Sequence, residues 1–123
     1  MSNNLESEVL KVVQTYIDAT YKADVDALRG TFHREARMSG YLGDQLLVGT
    51  PEPFICDIAS QPSMESVGAN YHAAIVYLSV TGKIAEAIVR EDEFRGAASL
   101  ENHFHLIFDG GVWSIISKTF TTL

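Results

Sequence analysis

Apolar positions repeat along this chain with two different periods, and the change from one to the other divides it. From Leu5 to Tyr21, the residues Leu5, Val9, Val12, Val13, Tyr16, Ile17 and Thr20 fall close to the spacing of one helical face. The spacing predicts an amphipathic helix with Glu6 and Glu8 in its first turn, where the helix dipole favours anions. Ala23 and Asp24 break the pattern. Asp24 is placed to cap a short second helix, Val25 to Phe32, with Ala27, Leu28 and Phe32 on its buried side. Thr50-Pro51 opens a third helix, Thr50 as its N-cap, that carries Phe54, Ile55, Ile58 and Ala59 and stops before Pro62. Proline at a first helical position forfeits no hydrogen bond.

Elsewhere the period is two. Ala36 to Tyr41 and Gln45 to Gly49 predict a small hairpin turning at Gly43-Asp44, and Gln61 to Gly68 is a polar loop. Asn70 to Val80 alternates with Tyr71, Ala73, Ile75, Tyr77 and Ser79 on one side, and Ile84 to Phe94 returns with Ala85, Ala87, Val89 and Glu91 sharing one parity. Ala98 to Phe120 reads as a long hairpin about Asp109-Gly110-Gly111, since glycine accepts the positive φ of a tight turn. In it, Asn102, Phe104, Leu106 and Phe108 alternate with His103, His105 and Ile107, and Trp113, Ile115, Ser117 and Thr119 with Ser114, Ile116, Lys118 and Phe120. The order predicts an α+β domain spanning 1–123, three N-terminal helices packed on one face of a curved, mostly antiparallel sheet.

Composition narrows the partners. A chain of 123 residues with a formal charge of −7 and scattered basic residues disfavours nucleic acid and anionic membranes. No apolar run approaches the roughly 20 residues a spanning helix needs. Met1 to Asn4 has neither a basic nor an apolar leader segment, so a cytoplasmic location is expected. Cys56 is alone, which rules out an intrachain disulfide and a cysteine metal cluster.

The ordered set of elements resembles the nuclear-transport-factor-2-like superfamily, the cone-shaped α+β fold of ketosteroid isomerases and polyketide-cyclase-like proteins. Val12-Val13-Gln14-Thr15-Tyr16, Ala23-Asp24 and Phe32-His33-Arg34-Glu35-Ala36 carry the likeness in the first half. The closing Gly111-Val112-Trp113-Ser114-Ile115-Ile116-Ser117-Lys118 is most similar to the lumazine-binding branch, whose members tend to end in Gly-x-Trp-x-Ile-x-x-Lys. The resemblance implies a hydrogen-bond donor at Tyr16 and a second at Asn102, which stands where the isomerases have an aspartic acid. It also implies that the position of the proton-shuttling base is Gly40, which has no base to offer.

Three functions follow for consideration. The first is a small-molecule binder, its apolar cone lined by Phe32, Met38, Phe54, Ile58, Phe104, Ile116 and Phe120. Tyr16, Asn102 and Lys118 would orient a planar aromatic or heterocyclic ligand. The second is a cofactor-independent isomerase, cyclase or dehydratase in which Tyr16 and Asn102 polarise a carbonyl and His33 is the base. The third is an interaction module with its cone packed shut. Tyr16 could equally be a core residue with a bonded hydroxyl, and Lys118 could pair with Glu91. His103 and His105 lie two apart on one strand face, but His72, Glu86 or Asp92 would complete a metal site only by accident of register, so no metal and no cofactor are expected. The opposite face, with Tyr77, Trp113, Ile115, Ile107 and His105, predicts a homodimer through the sheet.

Overall fold

The computed structural model describes residues 2–123. Among them the order is α1 (Ser2–Lys22), α2 (Val25–Gly30), β1 (Phe32–Leu42), β2 (Gln45–Gly49), α3 (Glu52–Ala59), β3 (His72–Thr81), β4 (Ile84–Phe94), β5 (Ala98–Asp109) and β6 (Val112–Thr122). The strands form one six-stranded sheet in the order β2-β1-β6-β5-β4-β3. Every pairing is antiparallel except β1 with β6, which is parallel. The α+β class and the helix-before-sheet order are those the periodicity predicts. No described helix is long and apolar enough to cross a membrane.

The core lies between α1 and the sheet. Val9, Val13, Tyr16 and Ile17 from α1 meet Ala87, Val89, Phe104, Leu106 and Ile115 from the strands, all buried. Three element boundaries differ from expectation. The first helix starts at Ser2, so Glu6 and Glu8 lie beyond its first turn. The second ends at Gly30, where the Thr31 hydroxyl donates to the Leu28 carbonyl at 2.7 Å, and Phe32 opens β1 instead of closing a helix. The third starts at Glu52, with Pro51 in the cap position. Asp24 does cap α2, accepting from the Ala27 amide at 3.3 Å.

Two bulges re-aim side chains. In the β5–β6 ladder the register passes from His105↔Ser117 to Leu106↔Ile115, which leaves Ile116 without a partner. An extra residue on one strand inverts the facing of everything beyond it. Lys118 and Phe120 therefore face inward on one side of the bulge, and Ile115 and Trp113 on the other. Ile115 and Trp113, expected on the open face, are in the buried core. Ile116, expected inward, turns to the open face. Unpaired Val76 does the same to β3, so Leu78 and Val80 join the core while Tyr77 is 49% exposed.

Candidate functional site

A cavity of about 410 Å³ opens between α3, the β1–β2 hairpin and the inner face of β4–β6. Leu42, Leu47 and Val48, all exposed, rim it; Met38, Phe54, Phe94, Leu100 and Phe120 wall it. Its floor is polar and buried: Glu91 at 1% exposure, Asn102 at 1% and Lys118 at 4%.

Register brings these three together. Val89 pairs with Asn102 and Glu91 with Leu100 across β4–β5, while Asn102 pairs with Phe120 and Phe104 with Lys118 across β5–β6. Residues two apart on a strand share a face, so the three polar groups lie on adjacent strands of one inner surface. Asn102 Nδ2 donates to Glu91 Oε1 at 2.5 Å and to the Val89 carbonyl at 3.4 Å. The Tyr71 hydroxyl donates to Glu91 Oε2 at 2.5 Å. A buried carboxyl is costly unless its oxygens are bonded, and both are. Burial, the Glu91 charge and this bond together hold the Tyr71 phenol far above its ordinary range.

Lys118 is held differently. Its ammonium makes no hydrogen bond or ion pair with a described residue and sits among aromatic rings: 4.1 Å from the Phe54 centroid and 5.2 Å from those of Tyr16 and Phe120. Such contacts contribute about 0.5–2 kcal/mol each to a desolvated cation. Burial pushes the Lys118 pKa down to about 8, against the opposing pull of Glu91.

Met38, Phe54, Asn102, Lys118 and Phe120, predicted as ligand contacts, line the cavity. Tyr16, Phe32, Ile58 and Phe104 do not; they form the layer behind it, with Tyr16 centred 4.9 Å from Phe104 and 6.1 Å from both Phe32 and Phe54. Burial, with Glu91 and Tyr71 adding to it, raises the Tyr16 phenol well above its usual range. Ile116 lies on the other side of the sheet and lines a second groove, of about 430 Å³, with Ile84, Glu86 and His105. His33, considered as a base, stands on β1 away from the cavity. Its Nδ1 accepts from the Glu35 amide at 3.0 Å, which leaves Nε2 to donate to Asp109 Oδ2 at 2.8 Å. His103 and His105 each face a carboxylate on the outer face, Glu101 at 2.6 Å and Glu86 at 3.2 Å.

Gly40 has no space for a side chain. A Cβ there would overlap the Phe120 carbonyl oxygen and come within 2.6 Å of its ring. Sequence reasoning did not select Glu91, Phe94 or Leu100. For Glu91 a signal existed: it continues the inward row of Ala85, Ala87 and Val89, where a charge is out of place.

A family model described as "Putative lumazine-binding" matches residues 4–121. The chain belongs to this family. It is similar to an NTF2-like protein of unknown function from Shewanella baltica OS155. The two are 24% identical with a TM-score of 0.87, over 100% of this chain and 97% of that one. A second such protein, from Silicibacter pomeroyi DSS-3, gives 24% and 0.87 over 100% and 99%. A ketosteroid isomerase-like protein from Erwinia carotovora atroseptica gives 14% and 0.69 over 96% and 95%. At these identities the lumazine-binding family member shares a fold with them, and the cone-shaped architecture is theirs too. No curated protein matches the chain.

Proposed function

We propose that this protein binds a small planar heterocycle of the pteridine-dione class, edge first, against Lys118 and Asn102. The observation that carries the reading is an apolar cavity ending on buried polar groups whose hydrogen-bonding capacity is unspent. Among the described residues the Lys118 ammonium meets aromatic rings and no acceptor, and Asn102 Oδ1 is buried without a partner. Buried polar groups left in that condition call for a ligand or water. A ring edge with a carbonyl beside an N–H supplies the acceptor and the donor at once, and lumazine has such an edge. The volume, about 410 Å³, falls within the usual range of roughly 300–1,000 Å³ for small-molecule sites. Phe54 and Phe120 supply aromatic wall for a flat ring to pack against.

Binding is favoured over isomerisation because Gly40, the implied base position, has no room for a side chain and His33 is engaged with Asp109 away from the cavity. The reading includes a homodimer through the outer sheet face, where Tyr77 and Ile84 are 49% and 60% exposed beside the groove. Sedimentation velocity checks the dimer, with a monomer across the micromolar range counting against it.

A thermal-shift screen against lumazines, other pteridines, flavins, steroids and aromatic polyketides tests the ligand class. At a hundred times its dissociation constant a ligand adds about 2.7 kcal/mol. The expected result is stabilisation by pteridine-diones that disappears in Asn102→Leu and Lys118→Met. Stabilisation that survives both substitutions, or none by any pteridine, overturns the reading.

A further inference from the structure

We propose that Lys118 captures aromatic aldehydes as an imine, making the cavity a reversible covalent site for carbonyl compounds. The inference rests on the cavity admitting flat small molecules, and extends what its floor does with them. Lys118 is the buried lysine of the chain; Lys11, Lys22 and Lys83 are exposed. Lys118 lines the cavity and its amine is tied to no acceptor among the described residues, so its nitrogen lone pair, once deprotonated, is free to attack. Nζ adds to the aldehyde carbon and a proton passes to the carbonyl oxygen. The carbinolamine then expels water, replacing C=O by C=N. No oxidant, metal or second substrate enters the balance.

The surroundings suit the product as well as the free amine. A protonated imine keeps the single positive charge that the Phe54, Tyr16 and Phe120 rings already face. The charged and titratable groups around Lys118 are Glu91 on β4 with its partner Tyr71, Tyr16 on α1, and Asp57 of α3 on the cavity wall. Burial supports the chemistry further. With Lys118 near 8, about one amine in ten is unprotonated at pH 7, against roughly one in 3,000 for an ordinary lysine at 10.5.

The test treats the native protein with one equivalent of 2-naphthaldehyde and sodium cyanoborohydride at pH 7, which reduces any imine to a stable secondary amine. Peptide mapping then ranks the four lysines. The expected result is labelling of Lys118 at least about tenfold over each of the other three, a preference abolished when the same protein is labelled unfolded in urea. 2-Naphthylmethanol, which fills the same space without a carbonyl, should protect Lys118. Even labelling of the four lysines in the native protein overturns the proposal, as does an unlabelled Lys118. If pteridine-diones stabilise the protein while Lys118 stays unlabelled, the imine fails and the binding site stands. Lys118→Met should lose the dominant adduct, but the ranking in the wild type decides whether or not that variant folds.

Discussion

Asn102 Nδ2 donates to Glu91 Oε1 at 2.5 Å, and Tyr71 takes the other carboxyl oxygen. Glu91 is thus an acceptor on both sides, fixed at the cavity floor by Asn102 of β5 and by Tyr71 just before β3. The arrangement leaves the amide oxygen of Asn102 without a partner among the described residues and keeps a negative group within electrostatic reach of Lys118.

Replacing Glu91 by Leu removes both acceptors at once and leaves the Asn102 amide and the Tyr71 hydroxyl facing an apolar side chain. The cost should be about 1–3 kcal/mol, the penalty of an unmatched buried polar group. Urea unfolding of Glu91→Leu beside Tyr71→Phe measures it. Unchanged stability in Glu91→Leu would mean that the carboxyl is not held as described.

Lys118 makes stability depend on pH with a definite sign. Its folded pKa, about 8, lies below its ordinary 10.5, so between these values the unfolded chain binds the proton and the folded one does not. Stability from this group therefore rises with pH from 8 to 10.5, and below pH 8 the folded protein carries the full penalty of a buried ammonium, about 3 kcal/mol. Lys118→Met should be more stable than wild type at pH 7, with the difference shrinking towards pH 10.5. Parallel melting curves across that range would contradict the burial of the charge.

Gly40→Ala should cost about 3 kcal/mol or prevent folding, since its Cβ meets the Phe120 backbone where β1 and β6 pair. Denaturant titration, or loss of soluble protein, reads the effect. A variant as stable as wild type would reopen Gly40 as a position able to carry a base.

His33→Ala should leave ligand affinity unchanged, because the ring bonds Asp109 and Glu35 away from the cavity. A calorimetric titration of that variant showing weakened binding would place His33 back in the site.

The elements themselves were legible, because period-two alternation and turn glycines identify strands whatever their neighbours are. Facing was legible only as far as the first bulge. Phe104 and Asn102 point inward as their parity says, but Ile116 costs β6 its alternation, and nothing in Ser114-Ile115-Ile116-Ser117 announces which residue will go unpaired. Trp113 and Ile115 face the core for that reason alone. Lys118 and Asn102 were recognisable as polar residues on an inward parity. Their meeting with Glu91 depends on three strands in register, and single-strand periodicity does not contain that relation. Tyr16 shows the converse. Its place on the buried helical face was readable, yet Lys118 and Phe54, which pack against it, line the cavity while Tyr16 does not, a matter of depth that a helical pattern does not encode.

Isothermal titration of the protein with lumazine, beside Asn102→Leu and Lys118→Met, decides whether the polar floor holds a ligand. One saturable site per chain is expected in the wild type, with a loss of affinity of at least about tenfold in each variant, the equivalent of one hydrogen bond to a buried group. Absence of binding by the wild type, or equal affinity in all three proteins, would contradict a ligand site built on Asn102 and Lys118.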